Sequence, residues 1–199
     1  MVRIATSALP SLLFLPLVLL PGCASRQVTR VDPSATVDFS GRWNDTDSRL
    51  VAEAMIDDAL ASPWLNTRNA PPAIIVGPVR NDTLEHIPTA TFVNDLQRAL
   101  ALSDRVVVVA AADERGAVRA ERADQQENAR PSTRAAFGAE TGADLMLGGV
   151  VSAIEDSEDG NAVYYYQVDL TLTDLETNEK VWLGQKKLKK VVARGRYKV

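Results

Sequence analysis

Between residues 44 and 190 apolar side chains recur with two different periods, and the change of period marks the elements. Leu50, Val51, Ala54, Met55 and Ala59 fall at helical spacing behind Asn44-Asp45-Thr46-Asp47. That stretch supplies N-cap candidates and an acidic first turn, so a helix is predicted from about residue 44 until Pro63 stops it. Ile74, Ile75, Val76 and Val79 form a short continuous apolar run after Pro71-Pro72, the pattern of a buried strand. A polar loop, Arg80 to His86, leads to a second helix from about Thr89 to Leu102 with Phe92, Leu96, Ala99 and Leu100 on one face. Val106 to Val109 then reads as a second buried strand. Strand, helix and strand in this order predict a right-handed parallel unit.

The second half changes character. Residues 113–128 are rich in Ala, Glu, Arg and Gln, which predicts an exposed helix that Pro131 ends. Ser132 is a candidate cap for a short helix carrying Ala135, Ala136 and Phe137 up to Gly142. A third strand is predicted from about Asp144 to Ile154. In the next, Tyr164, Tyr166, Val168, Leu170 and Leu172 alternate with Tyr165, Gln167, Asp169, Thr171 and Thr173, giving one buried and one wet face. A turn in Glu176-Thr177-Asn178-Glu179 leads to a last strand from about Lys180 to Lys189, with Val181, Leu183 and Leu188 packing. The expected fold is α/β: a single domain at residues 44–199 whose mixed sheet combines a βαβ unit with an antiparallel meander, flanked by helices.

The start of the chain follows other rules. Arg3 and an apolar run from Leu12 to Leu20 precede Leu20-Pro21-Gly22-Cys23. The run is shorter than the roughly 20 apolar residues of a membrane-spanning helix and contains Pro16. It reads as a signal peptide, residues 1–22; its end resembles the bacterial lipobox, and the resemblance implies lipidation at Cys23, the only cysteine. Cleavage after Gly22-Cys23-Ala24 to release an unanchored domain is the alternative. In the lipoproteins this chain resembles, an Asp at the position of Ser25 favours the inner membrane, so the resemblance implies a protein held on the outer membrane and facing the periplasm. Residues 23–43, polar and unpatterned, read as the lipidated N-terminus and a flexible linker, with a fully extended reach of at most about 70 Å.

Composition narrows the chemistry. A net charge of −4 gives no general attraction to nucleic acid, and one Cys with one His excludes an internal disulfide framework or a Cys/His zinc cluster. Glu155-Asp156-Ser157-Glu158-Asp159-Gly160 resembles the front of a calcium loop, but the twelfth position is Tyr166 rather than Glu, so a solvated hairpin turn is expected. Gly148-Gly149 lies inside a strand run and is no phosphate loop. His86 has neighbours Asp82, Thr83 and Glu85 but no nucleophile motif, so catalysis, a cofactor and a small-molecule substrate are all unexpected. Asn81, Asp82, Thr83 and His86, on a loop between a strand and its helix, are instead candidates for binding a protein partner. Tyr165, facing out of its strand, is a fifth. Lys186, Lys187, Lys189, Lys190, Arg194, Arg196 and Lys198 make the C-terminus basic. They read as a lysine-protected edge strand with a charged tail, or as a contact for anionic headgroups or an acidic partner.

Several stretches are similar to a known family. Leu20-Pro21-Gly22-Cys23 resembles the bacterial lipobox, with Pro21 where Ala, Ser, Thr or Val is more usual. Residues 41–48 (GRWNDTDS), 80–87 (RNDTLEHI) and 165–168 (YYQV) leading to 179–182 (EKVW) resemble the LpoB-type penicillin-binding-protein activators, over about Gly41 to Lys190. The resemblance implies a domain like the one at the start of TolB. It also implies a non-enzymatic role: an outer-membrane lipoprotein that crosses the periplasm and activates a class A penicillin-binding protein, the transglycosylase-transpeptidase of peptidoglycan synthesis. Family members from enteric bacteria carry a long Pro-rich linker, which this chain lacks. A subunit of an outer-membrane secretion complex related to the curli exporter is the second reading, but no long alternating strands are left over to cross a bilayer. An exported hydrolase is disfavoured by the sparse His and Cys content.

Overall fold

Asn44 opens the first helix by a reciprocal cap. Its side chain accepts from the Asp47 amide at 3.1 Å, and Asp47 accepts from the Asn44 amide at 3.0 Å. The computed structural model describes residues 27–193, so Cys23 and the basic positions Arg194, Arg196 and Lys198 lie outside the described residues. The chain divides into two units at Pro33/Ser34. In the first, residues 27–33 are exposed and form neither helix nor strand.

The second unit begins at Ser34, not at residue 44. The elements in order are helix α1 (Asp45–Ala61), a single turn α2 (Pro63–Asn66), strand β1 (Ala73–Asp82), helix α3 (Thr89–Leu102), strand β2 (Val107–Val109), helix α4 (Arg115–Asn128) and strands β3 (Leu145–Glu158), β4 (Asn161–Asp174) and β5 (Lys180–Val192). The five strands form one sheet ordered β2-β1-β3-β4-β5. β1 runs parallel to both β2 and β3, and β3, β4 and β5 form the antiparallel meander. The α/β class and the mixed sheet agree with the sequence pattern.

Helices α1 and α3 pack on each other and cover one face, α3 against β1 and β2, α1 against β5. Their apolar stripes, Val51, Met55, Ile56, Phe92, Leu96 and Leu100, meet Ile74, Val76, Leu145, Leu147, Val151, Val168, Leu170 and Leu172, all buried. Each such side chain withdrawn from water contributes about 1.5–3 kcal/mol, so this layer is the source of the fold's stability. The opposite face leaves Met146, Ile154, Leu183 and Val191 exposed. Helix α4 buries no residue, as its composition predicts.

Four details differ from the sequence pattern. β2 has three residues, and Val107 is exposed because the strand is the sheet's edge, paired with β1 alone. Residues 132–142 form turns rather than a helix, and Ala135, Ala136 and Phe137 are exposed. That segment has no apolar stripe to bury; it is held by side chains of α4, with Glu140 bonded to Arg119 and Arg122. In β5, Trp182 packs and Leu183 does not, because the register slips between Leu172 and Thr173. Finally, residues 34–43 belong to the folded unit. The hairpin turn at Asp159-Gly160 is as expected, both residues having positive φ (51° and 79°), which matches the twist of the strands it joins.

Candidate functional site

β1 ends in a loop built on two short polar side chains. The Asn81 side-chain amide donates to the Glu85 carbonyl at 2.8 Å, and its oxygen accepts from the Thr83 amide at 3.0 Å. Thr83 Oγ1 in turn accepts from the Glu85 amide at 3.0 Å. Such local bonds replace the ladder that the strand gives up. Asn81 and Thr83, expected as binding residues, also shape the loop. Asp82 and His86 are exposed. Asp82 pairs with Arg80 at 2.7 Å, which holds its carboxyl below the usual range. At the tip stands Leu84, its side chain fully in water.

Glu85, three residues past the end of β1, turns inward. Glu85 Oε2 accepts from the Trp43 amide at 3.3 Å, and Glu85 Oε1 accepts from the Tyr166 hydroxyl. Burial, and then the bond to Glu85, hold the Tyr166 phenol above its ordinary value, so it stays a donor. Trp43 lies edge-on to Phe92 at 6.0 Å and to Tyr166 at 5.5 Å between centroids. The preceding residues form a strap across the end of the sheet. Gly41 sits under the Tyr164 ring, where a Cβ would lie 2.0 Å from Cδ2. Lys190 Nζ binds Asp38 at 2.9 Å, Asp47 at 2.6 Å and the Arg42 carbonyl at 3.3 Å. Burial by itself would lower the Lys190 ammonium, but the bonds to Asp47 and Asp38 outweigh it and raise it. The Lys190 hydrogen bond, followed by that from Asn44, lowers Asp38.

Tyr165 points to the other side of β4 from Tyr166. Its hydroxyl reaches Gln167 Oε1 at 3.4 Å, Gln167 donates to Asp169 at 2.7 Å, and Gln185 donates to the second oxygen of Asp169 at 2.8 Å. Asp82 pairs in register with Ser152, and Ser152 with Gln167. The sheet thus places Asp82 and Tyr165 on one face, two strands apart, while Asn81 faces the helix side and His86 stays on the loop. Sequence reasoning missed Glu85 and Leu84. An acid in a polar loop and a single Leu without a period carry no signal of their own.

A crevice of about 430 Å³ opens beside the bulge in β1, lined by Gly77, Pro78, Thr89, Val93, Asn94 and Glu114 among others. On its wall, Glu114 already binds the Ala111 amide at 2.6 Å and Gln97 at 3.3 Å. Among the described residues no group of His, Cys, Asp and Glu is arranged to hold a metal ion, and no helix is long and apolar enough to cross a membrane.

The family model of the peptidoglycan-synthase activator LpoB matches residues 47–188, from the first turn of α1 into β5. The chain belongs to the LpoB family. Among solved structures, the LpoB C-terminal domain from Escherichia coli is 19% identical, with 72% of this chain and 99% of that chain covered and a TM-score of 0.43. The corresponding domain from Salmonella enterica is 18% identical with the same coverage and TM-score. Lipoprotein GNA1162 from Neisseria meningitidis is 16% identical, with 64% and 88% covered and a TM-score of 0.39. Direct comparison with curated proteins gives no match. The LpoB match covers α1 from Asp47, the β1–α3 loop, β4 and most of β5, so Asp47, Glu85, Tyr166 and Tyr165 fall within it and Trp43 outside.

Proposed function

We propose that this protein is a lipoprotein anchored through Cys23 to the outer membrane, facing the periplasm, that binds and activates a class A penicillin-binding protein. The observation that carries the reading is the match to the synthase-activator family over residues 47–188. The role is one of binding: the polar groups of the β1–α3 loop are either spent on the loop itself, as for Asn81 and Thr83, or exposed beside an uncovered Leu84. Asp82, Leu84 and His86 would meet the synthase, with Tyr165 on the adjoining sheet face. No cofactor and no small-molecule substrate enter this reading.

Anchoring at Cys23 would leave only residues 24–33 as tether before the folded unit, about 35 Å when fully extended. The synthase would therefore have to extend towards the outer membrane.

The test has two arms. Intact-mass analysis of the mature protein is expected to show a chain that starts at residue 23 and carries acyl groups; an unmodified chain starting further on removes the anchor from the proposal. Glycan polymerisation and cross-linking by the host's class A synthases, purified in detergent, are expected to accelerate when the mature protein is added. If none of them binds the protein or changes rate, the activator reading is wrong.

A further inference from the structure

Among the described residues strand β5 closes the sheet and pairs with β4 alone, so the backbone groups on its outer side have no partner strand there over residues 180–192. An edge of this length is a template for one more strand. We propose that the outer edge of β5 receives an extended, acidic segment of the cell-wall synthase as an added strand; this rests on the activator reading above.

The side chains define the segment. On the uncovered face β5 presents Leu183, Gln185, Lys187, Lys189 and Val191, an apolar residue at each end of a polar and then basic centre. Lys186 adds a charge on the other face and is also exposed. A matching strand carries carboxylates opposite the lysines and apolar side chains towards its ends. The strand's capacity to gather carboxylates is already visible in Lys190, which holds Asp47 and Asp38 at 2.6 and 2.9 Å.

Two other occupants fit less well. A second copy of this chain would set lysines against lysines if paired edge to edge, which is how edge strands avoid self-association. An anionic membrane surface would meet carboxylates across the sheet from the end of β5: Asp156 of β3 lies in register with Val163, and Val163 with Val191, with Glu158 and Asp159 just beyond on the hairpin tip. A segment lying along residues 183–189 stays clear of that tip. Of the other carboxylates on this face, Asp169 is occupied by Gln167 and Gln185, and Asp82 by Arg80.

The experiment compares the mature lipoprotein with its triple variant Lys186→Glu, Lys187→Glu and Lys189→Glu, both in detergent, for affinity to the full-length class A synthase. The three positions are exposed and outside the core, so an unchanged melting curve is required of the variant. Affinity is expected to fall by about tenfold or more, and the wild-type affinity to fall with added salt. Hydrogen exchange of the complex is expected to slow at the β5 amides that do not bond to β4. A triple variant that binds as well as wild type, or a complex that protects the β1–α3 loop and leaves β5 exchanging freely, overturns the added strand. So does a wild-type chain that uses its lysines to bind phosphatidylglycerol vesicles or to dimerise while the synthase affinity ignores them. A wild-type chain that binds no class A synthase overturns the activator reading, and the inference falls with it.

Discussion

Tyr166, buried at the centre of β4, donates its hydroxyl to Glu85, a loop residue 81 positions earlier in the chain. Through the other carboxylate oxygen Glu85 also holds the Trp43 amide, so one side chain joins the strap, the β1–α3 loop and the middle of the sheet. Removing either partner leaves buried polar groups unsatisfied. Tyr166→Phe and Glu85→Ala are each expected to cost about 1–3 kcal/mol in denaturant unfolding. The double variant should lose less than the sum, by about 0.5 kcal/mol or more. Strictly additive losses would show that the two side chains do not support one another.

The loop separates into residues that shape it and residues it displays. Asn81→Ala deletes both the donor to Glu85 and the acceptor for Thr83. A loss of about 1–2 kcal/mol is expected, together with faster hydrogen exchange in residues 82–87. The double variant Asp82→Ala, His86→Ala removes exposed side chains and is expected to melt as wild type does while binding the synthase more weakly. Equal affinity for the synthase would move the docking surface away from this loop.

Gly184 makes room for Trp182. A Cβ at residue 184 would lie 2.1 Å from Trp182 Cζ2, and the indole is held in place by its bond to Asp58 at 2.9 Å. Gly184→Ala must displace a buried ring, so it is expected to destabilise by about 1–3 kcal/mol and to shift Trp fluorescence. An unchanged melting temperature would mean that the indole has a second position at no cost.

Glu140 clamps the irregular segment 129–143 onto α4. Hydrogen bonds from Arg119 and then Arg122 hold its carboxyl down at about 2 from an ordinary 4.5. A depressed carboxyl stabilises the folded form fully above the unfolded value and loses that contribution as pH falls through the folded one. The clamp should therefore be intact at pH 5 and release between about pH 4.5 and 2. NMR titration of the Glu140 carboxyl checks this: Arg119→Ala with Arg122→Ala should return its midpoint towards 4.5, and a wild-type midpoint already near 4.5 would mean the clamp does not form in solution.

The elements whose causes are local were legible in the sequence. Asn44 and Asp47 are three residues apart and cap a helix by themselves; the alternation of β4 states which side is buried; Asp159-Gly160 has the backbone freedom its turn requires. The loop after β1 could be located for the same reason, although the roles within it could not. Asn81 and Thr83 have the composition of binding residues and of turn residues alike, and the turn role became visible only with their partners.

What tertiary structure decided has partners far along the chain. Residues 34–43 have no pattern, yet Lys190 reaches Asp38, Glu85 reaches Trp43, and Tyr164 covers Gly41, so the segment folds with the sheet. Val107 reads as buried by composition, but strand order puts it at the edge. Trp182 and Leu183 exchange places because the ladder slips by one residue after Leu172, and a slip of one turns every later side chain to the opposite face. Sequence alone determines which short segments can be helix, strand or turn, since those preferences act over a few residues. Which face, edge or carboxylate each side chain meets depends on contacts across 40 to 150 positions, and these exist only once the sheet has closed its register.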